Sequence, residues 1–470
     1  MTRTDTPTDT HPDITAGSWR TLLGPRYLGT AVLLAGGVAL CATNEFLTIS
    51  LLPSTVAEIG GGRLYAWVTT LYLVGSVAAA TTVSALLRRV GARWAFLAGL
   101  AVFAAGSLVC AAAPTMAVLL AGRTVQGAAG GLLAGLGYAL INVALPRSLW
   151  TRASALVSAM WGVATVAGPA AGGLFAQFGL WRWAFVTMVA ATAAMAVLVP
   201  LVLPAGRAAT AAAPARIPVW SLLLLGVAAL VISVAELPRR GAVTAGLLAV
   251  GAALIALFVV VDRRRPAAVL PPSTFGAGPL RWVYLTMAVL MSAVMVEMYV
   301  PLFGQRLGQL TPVAAGFLGA SLAIGWTVSE VVSASLRRSR TIAAVVAAAP
   351  PVVAVGLTVA AFTRVDGAPA RLVTVWAAAL LLAGVGIGAA WPHLSAWAMS
   401  CVDDPAEGAT AAAAINTVQL IAGAFGAGLA GVVVNNAGTE AAAARWLFAM
   451  FAALAAAGGL ASVRAARAAR

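Results

Sequence analysis

The sequence predicts an all-α polytopic membrane protein with 14 transmembrane helices. Three observations predict it. Of 470 residues, 61% are hydrophobic and only 9% are charged. The apolar residues come in continuous runs of about 20, the length that crosses about 30 Å of hydrocarbon. Basic residues gather in the segments between alternate runs. A soluble domain carries about 25% charged residues, and a chain this poor in charge lacks the polar shell that keeps a soluble fold dispersed.

The first 26 residues are polar and rich in Thr, Asp, Pro and Gly. The apolar run that follows is too long for a signal peptide and shows no cleavage pattern. A disordered cytoplasmic tail (1–26) and a retained first span are expected. The spans then fall at 27–50, 64–86, 94–113, 116–140, 153–175, 182–204, 219–237, 241–261, 281–303, 313–336, 341–363, 372–392, 409–434 and 443–463. Spans three and four join through a tight turn at Pro114, and the pair at 219–261 turns at Pro238–Gly241. A 12-span reading would treat that pair as something other than two crossings, but both runs are long and uncharged inside. Alternation of apolar and polar residues over about ten-residue segments, the mark of a barrel, is missing. Continuous runs must satisfy their backbone internally, as helices do.

All 29 basic residues are arginine, and the net charge is +15. A positive chain suggests nucleic acid, but here the arginines sit singly or in short groups between apolar runs, not along one polar face. With the N-terminus inside, 20 fall on inner segments and eight on outer ones, Arg123 remaining inside a span. This inward bias sets both termini in the cytoplasm. The Arg-for-Lys usage, with much alanine, suggests GC-rich coding and a bacterial cell membrane. Cys41, Cys110 and Cys401 are far apart and lack metal-ligand spacing, so neither a metal nor a cofactor is expected.

Glycine, at 48 residues, permits close helix approach in lipid. Gly127, Gly130, Gly131 and Gly135 form one such face, Gly168 and Gly172 another, and Gly423, Gly426, Gly428 and Gly431 a third. Pro169 removes a backbone donor within its span.

Ionic groups inside lipid are costly and therefore face a bundle interior or a wet cavity. Glu45 shares a face with Cys41, Thr48 and Leu52, while Asn44 projects to the side. Glu45 reads as a proton carrier, or as a structural hydrogen-bonding group near the outer interface. Glu297 is read in the same way, with Tyr299 on a different face. Glu330 reads as a proton-coupling group or as a partner of Arg337 or Arg338. Arg123, near Thr124 and Gln126, needs partners, and Glu45 suits it if spans one and four touch. Glu236, beside Pro238 and Arg239, reads as a loop anchor. His393 reads as interfacial. Asn142, Asn416 and Gln419 either bind substrate or join helices. Trp67, Tyr72, Trp326 and Phe303 suit an aromatic lining for apolar or cationic compounds.

Several of these segments resemble the major facilitator superfamily, and within it the 14-span drug:proton antiporters, over about residues 25–463. The loop Ser84–Arg93 is similar to that family's inner-loop signature at Arg89, Gly91 and Arg93, although Ser84 replaces a glycine and Arg88 the gating aspartate. The stretch from Leu119 through Arg123 to Gln126–Gly127 resembles the fourth-span arginine motif. Gly168-Pro169-Ala170-Ala171-Gly172-Gly173 is similar to the fifth-span motif of exporters. Asn44 stands where the first span usually carries an aspartate, with Glu45 beside it, and Trp181–Phe185 resembles the start of span six.

The resemblance implies a major facilitator-type fold. Its parts are an N-terminal six-helix half (27–204), two additional helices (205–262), a cytoplasmic linker (263–280), a C-terminal six-helix half (281–463) and a tail (464–470). It implies proton-coupled export of hydrophobic or cationic small molecules by alternating access, with Glu45, Arg123, Glu297 and Glu330 coupling protons. Asn44, Thr48, Trp67, Tyr72, Gln126, Asn142, Tyr299, Phe303, Trp326, Asn416 and Gln419 would meet substrate. Arg89, Gly91, Arg93, Gly168, Pro169, Gly172 and Gly173 would serve gating. The runner-up is a dedicated exporter of a lipid, siderophore or self-made antibiotic. A monomer among membrane lipids is expected, with no nucleic-acid partner. No phosphate-binding loop occurs, so ATP is not the energy source within this chain. A channel would need a filter-like segment, and an enzyme would rest on His393 with Asp403 and Asp404 alone.

Overall fold

The structure is a computed structural model that describes residues 18–80, 82–203, 218–238, 240–265, 268–276, 278–363, 365, 367–402 and 407–468. The polar stretch 1–17 and the acids Asp403 and Asp404 lie outside the described residues, as does the side chain of Asn142.

Among the described residues the regular structure is helical. The α-helices are α1 (Trp19–Leu22), α2 (Leu28–Ile59), α3 (Trp67–Ala80), α4 (Val83–Ala111), α5 (Met116–Ala144), α6 (Trp150–Gln177), α7 (Trp181–Val202), α8 (Val219–Val234), α9 (Gly241–Arg264), α10 (Leu280–Val294), α11 (Val300–Arg306), α12 (Pro312–Ser333), α13 (Ser339–Phe362), α14 (Ala370–Ser400), α15 (Gly408–Asn436) and α16 (Glu440–Ala468). A 3-10 turn, Met295–Tyr299, joins α10 to α11.

Among the described residues, 12 helical stretches are long and apolar enough to cross a membrane, with Leu280–Arg306 counting as one. The difference from 14 sits at two runs. The run at 219–237 gives α8, 16 residues and about 24 Å at 1.5 Å per residue, short of the hydrocarbon thickness. The run at 64–86 is divided. α3 ends at Ala80, where the Thr82 hydroxyl donates back to the Ala79 carbonyl (2.7 Å), and Val83 begins α4. α4 bends at Gly91, whose φ of +82° is a conformation that favours glycine. Val83–Val90 thus completes one run, and the next starts beyond the bend.

α2 packs on α5, α6 and α7, and α5 on α3 and α4. A second group is built from α10 to α16, with α12 on α14 and α13 on α14 and α16. The groups meet where α6 packs on α12 and α3 on α15, and α8 rests on both α3 and α15. Small residues set these distances. A Cβ at Gly127 or Gly131 of α5 would lie 2.1 Å from the Tyr72 or Ser76 carbonyl oxygen of α3. Gly384 and Gly388 of α14 play the same part against the Leu322 and Trp326 carbonyls of α12, at 1.9 and 2.1 Å.

α2 begins and α16 finishes at one end of the bundle, the terminal end. The C-terminal ends of α2, α6, α11 and α15 gather at the other, the distal end. There Trp181 Nε1 donates to Glu58 (2.7 Å), Arg182 pairs with Glu58, and Arg306 pairs with Glu440 (2.7 Å). The distal end is closed between the groups. Asn435 donates to the Arg63 carbonyl (2.8 Å), Tyr65 stacks on Tyr299 (4.7 Å), and a Cβ at Gly173 would meet Val313 Cα at 2.6 Å. Large apolar side chains such as Leu201, Phe362 and Leu460 point outward, as lipid rather than water requires.

Candidate functional site

A polar network in the interior is built from four helices. On α5, Arg123 and Gln126 stand three residues apart and therefore share a face. Arg123 Nη1 donates to Gln126 Oε1 at 2.8 Å, and its Nε donates to the Val68 carbonyl of α3 at 3.4 Å. The guanidinium lies over the Tyr72 ring of α3, 4.3 Å from its centroid, a favourable cation–π placement. Gln126 Nε2 donates to Ser107 Oγ of α4 (2.8 Å) and to Asn44 Oδ1 of α2 (3.2 Å). The Cys110 thiol completes the ring of donors around Gln126 Oε1, at 3.6 Å. Arg123 is 2% exposed, and Gln126 and Asn44 are fully buried.

Spans one and four do touch, since α2 packs on α5. Arg123 nonetheless bonds to Gln126, and the two ion pairs among the described residues are the distal ones, Glu58–Arg182 and Arg306–Glu440. Asn44, which helical projection turned to the side, is the α2 residue that joins the network. Thr48 donates to the Asn44 carbonyl (2.7 Å), so its hydroxyl proton is held within its own helix. Glu45 is half-buried and lies within electrostatic reach of Arg123, Tyr72 and Glu297. Glu297 is 5% exposed and sits in the 3-10 turn at the middle of Leu280–Arg306. One acid therefore comes from each helix group, within electrostatic reach of the other.

The remaining residues fall elsewhere. Glu330 accepts from Trp326 Nε1 (2.8 Å), and Trp326 packs on Trp391 (5.4 Å), so this acid is tied within α12 and not to Arg337 or Arg338. Tyr299 stacks on Tyr65 and on Phe303 (6.0 Å) near the distal end, and Trp67 opens α3 close by. Asn416 is exposed and Gln419 half-buried on α15. His393 is held by Ser333 (2.9 Å), whose own proton goes to the Ala389 carbonyl.

Of the gating residues, Arg89 is exposed, Gly91 forms the bend, and Arg93 Nε is buried without a hydrogen-bond partner. Gly168 and Gly172 admit α2, since a Cβ would lie 2.4 Å from Phe46 Cβ or 2.5 Å from the Leu47 carbonyl oxygen. Gly173 admits α12, and the Pro169 carbonyl faces Gly316 of α12. The exporter-like motif thus lies where α6 touches both α2 and the second group.

Sequence reasoning missed Ser107 and the Glu58 clamp. A lone serine in an apolar run carries no signal. Glu58 is separated by 123 residues from the tryptophan it holds. Two grooves, of about 600 Å³ beside α15 and α16 and about 330 Å³ between α12 and α14, lie at the periphery and contain neither Arg123 nor the acids.

A bundle with 12 helical stretches long and apolar enough to cross a membrane among the described residues is the architecture of a polytopic membrane protein, and its family makes it a transporter rather than an enzyme. The family model described as the Major Facilitator Superfamily matches residues 34–427, and the chain belongs to that family. A Mycobacterium tuberculosis protein named a probable multidrug-efflux transporter is 68% identical over 455 residues, 96% of each chain. An uncharacterized transporter of the same family and organism is 27% identical over 307 residues, 63% of this chain and 43% of its own. Among solved structures, a D-xylose–proton symporter shares the fold with a TM-score of 0.66 at 12% identity, covering 93% of this chain and 97% of that one. A bacterial homologue of the lysosomal transporter Spinster does so with a TM-score of 0.64 at 14% identity, over 97% and 98%.

Proposed function

We propose that this transporter is an exporter of hydrophobic or cationic small molecules, driven by proton entry and working by alternating access. The observation that carries the reading is that Glu45 of the first helix group and Glu297 of the second lie within electrostatic reach of each other, with Asn44, next to Glu45 in α2, bonded into the Arg123–Gln126 network. Two carboxylates in a shared poorly solvated space repel when both are ionised. A proton relieves that repulsion, and so does a cationic cargo. Either one lets the groups close around the pair, while the empty, doubly charged site resists closing. Exchange of proton for cargo follows from this one electrostatic requirement. The name of the 68% identical relative supports export.

In this reading α2–α7 and α10–α16 are the two moving halves. α8 and α9 are a hairpin inserted between them. The arginine bias puts both termini, and hence the terminal end, in the cytoplasm. Alternation about a central site is the general behaviour of such bundles. Gly168, Gly172 and Gly173 form the surface along which α6 rocks, and Glu330 lies toward the cytoplasmic exit.

The test is flux in vesicles of purified protein. An imposed proton gradient, acid on the distal side, is expected to drive ethidium across the membrane against its own gradient, and a protonophore is expected to abolish the accumulation. Ethidium movement that ignores the proton gradient would overturn the reading.

A further inference from the structure

The turn between α8 and α9 places a carboxyl group where a loop anchor was expected. Glu236 lies beyond the last residue of α8, and its side chain is fully buried. Both carboxylate oxygens lack a hydrogen-bond partner. The group is pressed into a three-way junction, since a Cβ on Gly431 of α15 would lie 1.5 Å from Glu236 Oε2 and 2.9 Å from Ala66 Cβ, just before α3. The turn, the first helix group and the second therefore meet on this one side chain.

The junction is unusually short of partners. Of 11 buried side-chain polar atoms without one among the described residues, five are here: both Glu236 oxygens, Tyr65 Oη, Tyr299 Oη and Trp67 Nε1. Trp67 is the neighbouring N–H donor, but no bond to the carboxylate is completed. Arg63 is the neighbouring cation from the short 3-10 turn before α3, and its Nη2 is taken by the Leu237 carbonyl. The second group contributes Tyr299, and α15 contributes the neutral Gly431 and Asn435. Arg306 faces Tyr65 and pairs with Glu440. On the hairpin itself Arg240 is exposed, and Thr244 is buried without a partner. No ion pair to Glu236 forms among the described residues. An ionised carboxylate buried without donor or cation is strongly disfavoured.

We propose that Glu236 is a proton-binding gate residue, on which the distal end closes only when the carboxyl is protonated. Opening the distal end parts Ala66 and Gly431, brings the carboxyl to water and lets it ionise. Reclosing then requires one proton from the distal aqueous phase. The inserted hairpin is thus a pH-responsive latch, distinct from the central acids. It shares with the proposed proton-driven export only the alternation between two conformations. The sign is fixed by linkage. The closed state binds the proton more tightly, so closure is fully favoured below about pH 4, the usual carboxylate range. It is lost as the pH rises, at most about tenfold per pH unit for one proton.

The test measures closure directly in full-length protein in lipid nanodiscs. Spin labels at Ala57→Cys and Thr439→Cys, in a Cys401→Ser chain, report the separation of the two groups at the distal end. The background carries Glu45→Gln and Glu297→Gln, so that the central acids are silent. The closed fraction is expected to fall between pH 5 and 8, values of the order of the carboxylate range and above. Glu236→Gln is expected to hold the closed fraction high and flat, and Glu236→Asp to restore a pH dependence with a shifted midpoint. A flat profile before Glu236 is changed, or an unchanged slope in Glu236→Gln, would overturn the latch. Failure of proton antiport in vesicles, with this slope intact, would sink the earlier reading and leave the latch standing.

Discussion

Replacing Gln126 with leucine tests the network that holds α2, α3, α4 and α5 in register. The side chain accepts from Arg123 and donates to Ser107 and Asn44, so the change removes three buried hydrogen bonds at once. Leucine has nearly the same volume, and no cavity term enters. Hydrogen bonds between membrane helices are worth about 0.6 kcal/mol each, and one to a charged group about 1.5–3 kcal/mol. Loss of all three destabilises the fold by about 3–4 kcal/mol on those values. Gln126→Glu is the control. It keeps a partner for Arg123 and loses only the two neutral donations, about 1 kcal/mol. Unfolding in mixed micelles of rising sodium dodecyl sulfate, followed by tryptophan fluorescence, reads both. Gln126→Leu unfolding within about 1 kcal/mol of the parent, less than one charge-assisted bond, would show that the network carries no weight.

Gly172→Val puts a side chain into the Leu47 carbonyl of α2, 2.5 Å from the position of its Cβ. Overpacking of this kind costs about 1–3 kcal/mol, and ethidium flux in vesicles is expected to fall at least about tenfold for each 1.4 kcal/mol placed on the rocking step; unchanged flux would free α6 of a gating role. Glu58→Gln breaks a half-exposed ion pair with Arg182. Pairs like that contribute about 0–1 kcal/mol, so unfolding midpoints are expected to stay within that range, and a larger loss would make the distal clamp structural. Arg123→Lys keeps the charge but loses the planar fork that reaches both Gln126 and the Val68 carbonyl. Proton-coupled flux is expected to drop more in this variant than in Glu330→Gln, and the opposite order would move the coupling site to α12.

Much of the fold was legible because lipid leaves few solutions. Runs of sufficient length must be helices, and among the described residues 12 helical stretches are long and apolar enough to cross. The two that fall short are α3, broken by the turn at Thr82, and α8, which is only 16 residues long. Hydropathy averages over both features. Glycine faces were legible where they repeat, as at Gly127 and Gly131. Gly384 and Gly388 have the same spacing and the same role, but the apolar run around them offers no contrast.

The site was legible at the level of residue type. Arg123, Gln126, Asn44, Glu45 and Glu297 stand out because polar groups in lipid need a reason. Their partnerships were not legible. Helical projection put Asn44 to the side because it has no knowledge of where α5 sits, and Gln126 reaches Asn44 from that direction. Glu236 read as a loop residue, since burial of a turn by two other helix groups leaves no mark in the local sequence.

The central claim is that Glu45 and Glu297 jointly trade a proton for cargo. Internal pH in proteoliposomes, recorded while ethidium is added outside a preset proton gradient, measures that trade directly. Proton movement linked to ethidium is predicted for the parent protein, a reduced amount for Glu45→Gln or Glu297→Gln alone, and none for the double variant. Full substrate-linked proton movement in the double variant would contradict the account.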